Sequence, residues 1–186
     1  MVKKLYEIIY CDPPWDYKGQ TQHGTKIVGQ TGGALTHYPT MTVDEMIKVF
    51  KPKIDKITNI NCLLFMWTSS PHLDQAIRLG NDWGFDYATV AFIWNKMKPN
   101  PGFYTMSECE MVLVFKKKNG KIPSNRGSRN ERQYYAEERR EHSRKPDEIR
   151  NRITRMFPTQ NKLEMFARQK TKGWDVFGNE TCKFKK

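Results

Sequence analysis

Short apolar runs that end at turn-forming residues are the first regular feature of the sequence. The run "LYEIIY" ends just before Pro13, and "CLLFMW" is nearly all apolar, as expected of a strand that is covered on both faces. The pattern predicts six strands. They span residues 5–10, 62–67, 87–94, 109–115, 162–167 and 174–177.

Amphipathic segments with helix-start signals separate these runs. The segment "TVDEMIKVF" begins with Thr42 and Glu45, which have the spacing of a capping box. Residues 146–157 carry two acids in their first turn, where the helix dipole favours them, and residues 71–83 start with a proline and precede Gly84. Strands that alternate with helices predict an α/β domain with a mostly parallel sheet.

The tetrapeptide "DPPW" stops the first predicted strand at its carboxyl end, which is where open α/β sheets bind ligands. Each proline fixes φ and lacks an N–H, so we expect the carbonyls of Pro13 and Pro14 to be free to accept hydrogen bonds beside the Asp12 carboxylate. Trp15 is expected to offer a flat face next to them. This arrangement suits a planar ligand that carries an NH₂ group, and a plain strand-ending turn is the structural alternative.

Two segments depart from the alternating pattern, and we expect both to be loops of one domain that spans residues 1–186. Residues 18–37 are rich in Gly, Thr and Gln and predict a mobile loop. Residues 116–145 hold eleven Lys and Arg against four Glu, with Tyr134 and Tyr135 among them. This basic segment is either a solvated loop or a clamp on phosphates whose tyrosines stack on bases.

Composition narrows the function classes. The 186 residues carry a net charge of +12, which fits a polyanionic partner such as nucleic acid, although a basic protein without such a partner has the same balance. The four cysteines are far apart and form no Cys/His cluster, so we expect reduced thiols, no zinc and a cytoplasmic setting. The sequence contains no run of roughly 18 apolar residues that could span a membrane, and its start does not resemble a signal peptide.

Several motifs in a fixed order resemble the MT-A70 family of S-adenosylmethionine-dependent adenine-N6 methyltransferases. They are "DPPW", "HYPTMTVDEM" (37–46), "LLFMW" (63–67), "IWNK" (93–96), "SRKPDEIRNRI" (143–153) and "KLEMFARQKTKGWDVFGNE" (162–180). The last two are most similar to prokaryotic and phage members. In this family the catalytic motif comes first and the cofactor motif last, so the resemblance implies a circularly permuted, Rossmann-like methyltransferase fold with helices flanking the sheet.

The resemblance also implies which residues form the site. For catalysis they are Asp12, Pro13, Pro14 and Trp15, and for the target adenine they are Tyr38, Thr40, Lys96 and Glu108 or Glu110. For S-adenosylmethionine they are Asp12, Lys145, Glu164, Arg168, Lys170, Asn179 and Glu180, and Lys170 or Gln169 stands in place of a histidine of eukaryotic members. The resemblance implies no metal.

The implied reaction is direct in-line methyl transfer. Asp12 and the Pro13 carbonyl orient the adenine amine, Asp12 stabilises the positive charge that develops on it, and the proton leaves to water. A base in duplex DNA has to be flipped out to reach such a pocket. We expect DNA as the substrate, with RNA methylation or a non-catalytic nucleic-acid-binding subunit as alternatives, and we expect a homodimer because the family favours dimers.

Overall fold

A computed structural model describes residues 4–16, 40–101, 104–141, 144–178 and 181. The strands within these residues are β1 (Tyr6–Cys11), β2 (Thr58–Thr68), β3 (Phe85–Asn100), β4 (Ser107–Lys117), β5 (Tyr134–Ala136), β6 (Lys162–Met165) and β7 (Asp175–Phe177). The helices are α1 (Val43–Ile57), α2 (Leu73–Asp82) and α3 (Asp147–Met156), and a 3₁₀ turn, Ser70–His72, leads into α2. The loop predicted at 18–37 and the site residues Tyr38, Asn179 and Glu180 lie outside the described residues.

The strands form one sheet in the order β5-β3-β4-β2-β1-β6-β7. Strand β1 is parallel to β2 and β6, β6 is parallel to β7, and β3 is parallel to β5, whereas β4 is antiparallel to both β2 and β3. The sheet is therefore mostly parallel, and its helices flank it as in Rossmann-like methyltransferases. This confirms the predicted fold class.

Two apolar layers cover the sheet because its central strands alternate their side chains between the faces. On β1, Ile9 and Cys11 pack with residues of α1 and α2, whereas Ile8 and Tyr10 pack with Ile149 and Ile153 of α3. All but Tyr10 of these β1 residues are fully buried. Because both faces of β1 are packed in this way, the next residue, Asp12, has a fixed position at the carboxyl end of the strand.

Helix α1 is longer than predicted because tertiary packing carries it past a proline. The capping box of Thr42 and Glu45 is present at its start, as predicted. Pro52 lies inside the helix on the exposed side, while the fully buried side chain of Ile54 anchors the next turn against the sheet. The packing of Ile54 and its neighbours offsets the hydrogen bond that Pro52 cannot donate.

The expectation that residues 116–145 form a loop throughout is wrong, because their middle adds strand β5 to the edge of the sheet beside β3. Arg152 of α3 donates to the carbonyls of Arg132 and Tyr134 and so ties this strand to the helix. Tyr135 lies under the Arg152 guanidinium, 5.0 Å from it, whereas the Tyr134 ring is 55% exposed. Of the two tyrosines predicted to stack on bases, only Tyr134 presents an accessible ring.

Candidate active site

A pocket lies where β1 and β6 end, at the edge predicted to bind a ligand. Asp12 follows β1, residues 166–169 follow β6, and Lys145 and Pro146 precede α3. The pairing of Cys11 with Met165 brings the two strand ends side by side. The lining residues are Tyr10, Asp12, Trp67, Arg144, Lys145, Pro146, Arg150, Glu164, Phe166, Arg168 and Gln169.

Four alternating charges cross one end of this site. The Lys145 ammonium lies 3.3 Å from an Asp12 carboxylate oxygen and 3.0 Å from a Glu110 carboxylate oxygen. The other Glu110 oxygen is 3.5 Å from the Lys96 ammonium, whose side chain is 10% exposed. Lys145 also lies over the Trp67 ring, 5.5 Å from its centroid, so an apolar wall limits the water that screens the pairs.

The surroundings shift the pKa values of the two carboxylates, Asp12 and Glu110, in opposite directions. Burial raises the pKa of Asp12, and Glu110 raises it further, while Lys145 opposes both effects. Burial also acts to raise the pKa of Glu110, but Lys145 and Lys96 together bring it below its ordinary value. Asp12 is therefore the carboxylate that gains most from a new cationic partner, such as an amine on which positive charge develops.

A second ion cluster forms the other end of the pocket. The guanidinium of Arg150, whose side chain is 7% exposed, donates to Glu164 at 3.0 Å and to Asp147. The amide of Gln169 donates to the same Asp147 carboxylate at 2.6 Å. Burial raises the pKa of Glu164 even though Arg150 opposes the shift. Carboxylate, guanidinium and amide groups side by side match the mixed donors and acceptors that sugar hydroxyls need.

Two backbone hydrogen bonds that the sequence does not predict hold the DPPW turn in place. The Pro13 carbonyl accepts the backbone N–H of Trp15 at 2.9 Å, and the Pro14 carbonyl accepts that of Met41 at 2.9 Å. The expectation that both carbonyls are free is therefore wrong, although each oxygen keeps a second lone pair. The turn gains rigidity from these bonds.

Trp15 does not offer an open face beside Asp12. Its ring is 5% exposed, its indole N–H donates to the Trp67 carbonyl at 3.2 Å, and its face stacks on His72. The expectation of an exposed aromatic platform is thus wrong for Trp15, because the turn directs the ring into the apolar layer that contains α1 and α2. Trp15 supports the turn rather than covering a ligand.

The structure separates the alternatives left open for two positions. Glu110, and not Glu108, is the acid that meets Lys96 and Lys145. Gln169 lines the pocket, whereas the neighbouring Lys170 is exposed and outside the lining, which corrects the assignment of Lys170. Thr40 is partly buried at the start of the described segment and does not line the pocket either.

Six residues of the pocket lining are not among the predicted site residues: Tyr10, Trp67, Arg144, Pro146, Arg150 and Phe166. Tyr10 and Trp67 lie in segments predicted only as apolar strands, and Arg150 lies in the predicted helix 146–157. The Tyr10 hydroxyl accepts the Trp67 indole N–H at 2.5 Å, and burial raises the tyrosine's pKa. The sequence did contain one signal for Arg150. It follows Ile149 and lies three residues before Ile153, and this spacing puts it at the edge of the buried side of α3.

Two absences are recorded within the described part of the chain. It contains no cluster of three or more His, Cys, Asp or Glu side chains that could hold a metal ion. None of its helices combines the length and the apolar character needed to cross a membrane.

The seven-stranded sheet and the pocket at its strand ends are those expected of a Rossmann-like methyltransferase fold. The MT-A70 family profile matches residues 6–180, and the chain belongs to that family. The chain is 45% identical to the type II methyltransferase M.MunI of Mycoplasma sp over 188 residues, which cover 96% of this chain and 78% of that protein.

More distant relatives are eukaryotic. The chain is 27% identical to the Arabidopsis thaliana N(6)-adenosine-methyltransferase MT-A70-like and 28% identical to the Danio rerio N(6)-adenosine-methyltransferase subunit METTL3. Each match covers 94% of this chain but only 24% and 28% of those two proteins. The chain thus spans about a quarter of the length of these eukaryotic relatives.

Proposed function

We propose that this methyltransferase transfers a methyl group from S-adenosylmethionine to the N6 amine of adenine in DNA. The observation that carries the proposal is the meeting of Asp12 with Lys145 in a pocket that Glu164 closes at its far end. In this proposal Asp12 binds the target amine, Lys145 binds the carboxylate of the cofactor, and Glu164 binds the hydroxyls of its ribose. These are the three polar groups that have to be held around the methyl transfer.

The residues of the pocket fit the cofactor by their chemistry. Lys145 would hold its carboxylate, and Glu164, with Arg168 and Gln169 beside it, would hold its ribose. When bound, S-adenosylmethionine supplies an electrophilic methyl group on a sulfonium. Because Lys145 already contacts Asp12 and Glu110, binding a carboxylate there would draw the ammonium away from both acids.

Asp12 would bind and orient the adenine amine. Its carboxylate accepts an N–H of the amine, and the remaining lone pair of the Pro13 carbonyl is available for the other. The charge of Asp12 then stabilises the positive charge that appears on nitrogen as the new N–C bond forms. Glu110 and Lys96 extend the row of charges from Lys145, and the proton leaves to water afterwards.

DNA is proposed as the substrate because M.MunI, which is 45% identical over 96% of this chain, is named as a type II methyltransferase. The net charge of +12 supports a nucleic-acid partner. Among the described residues the basic segment exposes cations that phosphates could contact: Lys118, Lys121, Arg129, Arg132 and Arg139. RNA is the second candidate, since the eukaryotic relatives are named for N(6)-adenosine.

The test incubates purified protein with methyl-labelled S-adenosylmethionine and three matched substrates: duplex DNA, single-stranded DNA and RNA of one sequence. We expect label in the DNA arms, with N6-methyladenine as the labelled nucleoside after digestion. Label in RNA alone would replace the proposal with RNA methylation. Raised melting temperature with the cofactor but no label in any arm would instead indicate a binding subunit.

The homodimer expected from the family is proposed here as well. A molar mass of about twice 22.0 kDa by light scattering would support it. A single-chain mass, with full activity at the same concentration, would refute it.

A further inference from the structure

His72 contacts the DPPW turn from the side of the sheet that faces away from the pocket. It ends the 3₁₀ turn Ser70–His72 after β2, and it is 3% exposed. Its imidazole stacks on the Trp15 indole with ring centroids 5.7 Å apart and an interplanar angle of 21°. Trp15 is three residues from Asp12, so this stack supports the turn that carries the proposed catalytic carboxylate.

Hydrogen bonds fix the imidazole in that position. Its Nδ1 lies 3.0 Å from the Ser69 hydroxyl. The backbone of Asp16 also hydrogen-bonds to the ring and acts to raise its pKa. In the neutral ring one nitrogen donates and the other accepts, and the Ser69 hydroxyl can serve either role at Nδ1.

We propose that His72 is a positioning residue for methyl transfer, whose neutral ring holds Trp15 and Asp16 and through them the Asp12 carboxylate. This inference rests on the proposed function. His72 does not line the pocket, so it acts on the reaction through the turn and not through contact with a substrate.

The same contacts make the turn sensitive to pH. Burial lowers the pKa of His72, while the backbone of Asp16 and the carboxylates of Asp74 and Asp16 oppose this shift. Ser69 and Trp15, which also face the ring, carry no charge. When pH falls through the His72 pKa, a positive charge appears in this buried site and both ring nitrogens become donors, so the contacts that hold the turn have to rearrange.

Three variants separate the parts of this inference. His72→Ala removes the ring, and we expect kcat to fall about tenfold while the KM for S-adenosylmethionine changes little, because the cofactor pocket lies on the other face. His72→Gln keeps polar groups but cannot gain a proton in this range. The acid limb of kcat/KM should therefore move to lower pH in this variant. Asp74→Asn is the matched control: it keeps the ring and removes an exposed carboxylate that raises the His72 pKa. We expect normal kcat and a limb moved to lower pH.

A readout without substrate separates failure of this inference from failure of the proposed function. In NMR spectra of the ligand-free protein, the His72 ring should titrate below 6.5, and the Trp15 indole N–H that donates to Trp67 should shift with the same midpoint. A Trp15 resonance that ignores this midpoint, or an acid limb identical in wild type and His72→Gln, overturns the inference. A wild type that shows the NMR coupling but methylates no adenine overturns the proposed function alone.

Discussion

The Lys145 ammonium lies between two carboxylates, 3.3 Å from Asp12 and 3.0 Å from Glu110, although the three residues come from different parts of the chain. The carboxyl end of β1, strand β4 and the segment just before α3 meet at this point. Lys145 therefore pairs with both acids in the ligand-free protein, and Lys96 pairs with Glu110 as well. A ligand carboxylate bound to Lys145 would leave Glu110 with Lys96, and an amine that develops positive charge would become the new partner of Asp12.

Asp12→Asn tests the role of the carboxylate at the end of β1. The amide keeps the size of the side chain but removes the charge that would stabilise the developing cation, so we expect kcat for methyl transfer to fall by about 10²–10³. Asp44→Asn, at an exposed position on α1, is the control and should leave kcat unchanged. Methyl-transfer rates at saturating substrate provide the measurement. A rate for Asp12→Asn equal to that of the control would contradict the assignment.

Lys145→Met and Lys170→Met distinguish the two lysines assigned to the cofactor. Lys145 lines the pocket, whereas Lys170 is exposed and outside it. We expect S-adenosylhomocysteine to raise the melting temperature of wild type and Lys170→Met alike, and to lose at least about tenfold in affinity for Lys145→Met because a charge pair is removed. Calorimetric titration gives the affinities. Equal affinities for the two variants would refute the assignment of Lys145.

Much of the fold could be predicted because most strands carry their signal locally. The apolar runs that contain Ile8, Leu64 and Val112 are long enough to specify buried strands without knowledge of their neighbours. Strand β5 could not be predicted in this way, because its three residues lie in a polar, basic stretch. Its pairing with β3 and its bonds to Arg152 are contacts between distant parts of the chain, and no periodicity records them.

The site was predictable to a similar extent. Asp12 and Lys145 belong to motifs whose resemblance marks them as functional. Arg150 lies in the same motif as Lys145, at 143–153, but nothing in that motif identifies it as the partner of Glu164. Arg150 reaches Glu164 from a helix fourteen residues earlier, and only the packing of α3 on the sheet brings the two together. The bond that occupies the Pro14 carbonyl was missed for the same reason, since Met41 approaches Pro14 across a stretch of more than twenty residues. The bond from Trp15 to the Pro13 carbonyl is local and follows from the shape of the turn.

Arg150→Met tests whether the buried pair with Glu164 stabilises the fold. Removing the guanidinium leaves a buried carboxylate without its cation, and we expect a loss of about 3 kcal/mol in the free energy of unfolding at pH 8. The pKa of Glu164 is raised by burial and would rise further without Arg150. A carboxyl whose pKa is higher in the folded than in the unfolded protein penalises folding as pH rises through that interval, so the loss should be smaller at pH 5.

The double variant Arg150→Met with Glu164→Gln completes that cycle. Because neither charge remains, we expect it to be more stable at pH 8 than Arg150→Met alone, and to lose the pH dependence that Glu164 causes. Urea unfolding at the two pH values gives the energies. If the double variant is less stable than the single one by the full cost of Glu164→Gln, the two residues do not interact.

Lys162→Met tests a buried lysine that joins the end of α3 to the start of β6. The Lys162 ammonium is 5% exposed and donates to the carbonyls of Phe157, Pro158 and Gln160, at 2.9, 3.2 and 2.9 Å. Methionine fills a similar volume but leaves these carbonyls without their donor, so we expect the free energy of unfolding to fall by about 2–3 kcal/mol. Lys56→Met, at an exposed position in the last turn of α1, should change it by less than about 0.5 kcal/mol.

We expect Lys162→Met to change the geometry of the pocket as well as the stability of the fold. Lys162 begins β6, the strand that carries Glu164, and its bonds fix where the chain turns after α3, the helix that carries Arg150. If the turn relaxes, the Arg150–Glu164 pair loses its alignment, and we expect the KM for S-adenosylmethionine to rise while kcat at saturation is retained, because Asp12 lies on β1. A variant that is destabilised as expected but keeps the wild-type KM would show that the lysine supports the fold without setting the geometry of the pocket.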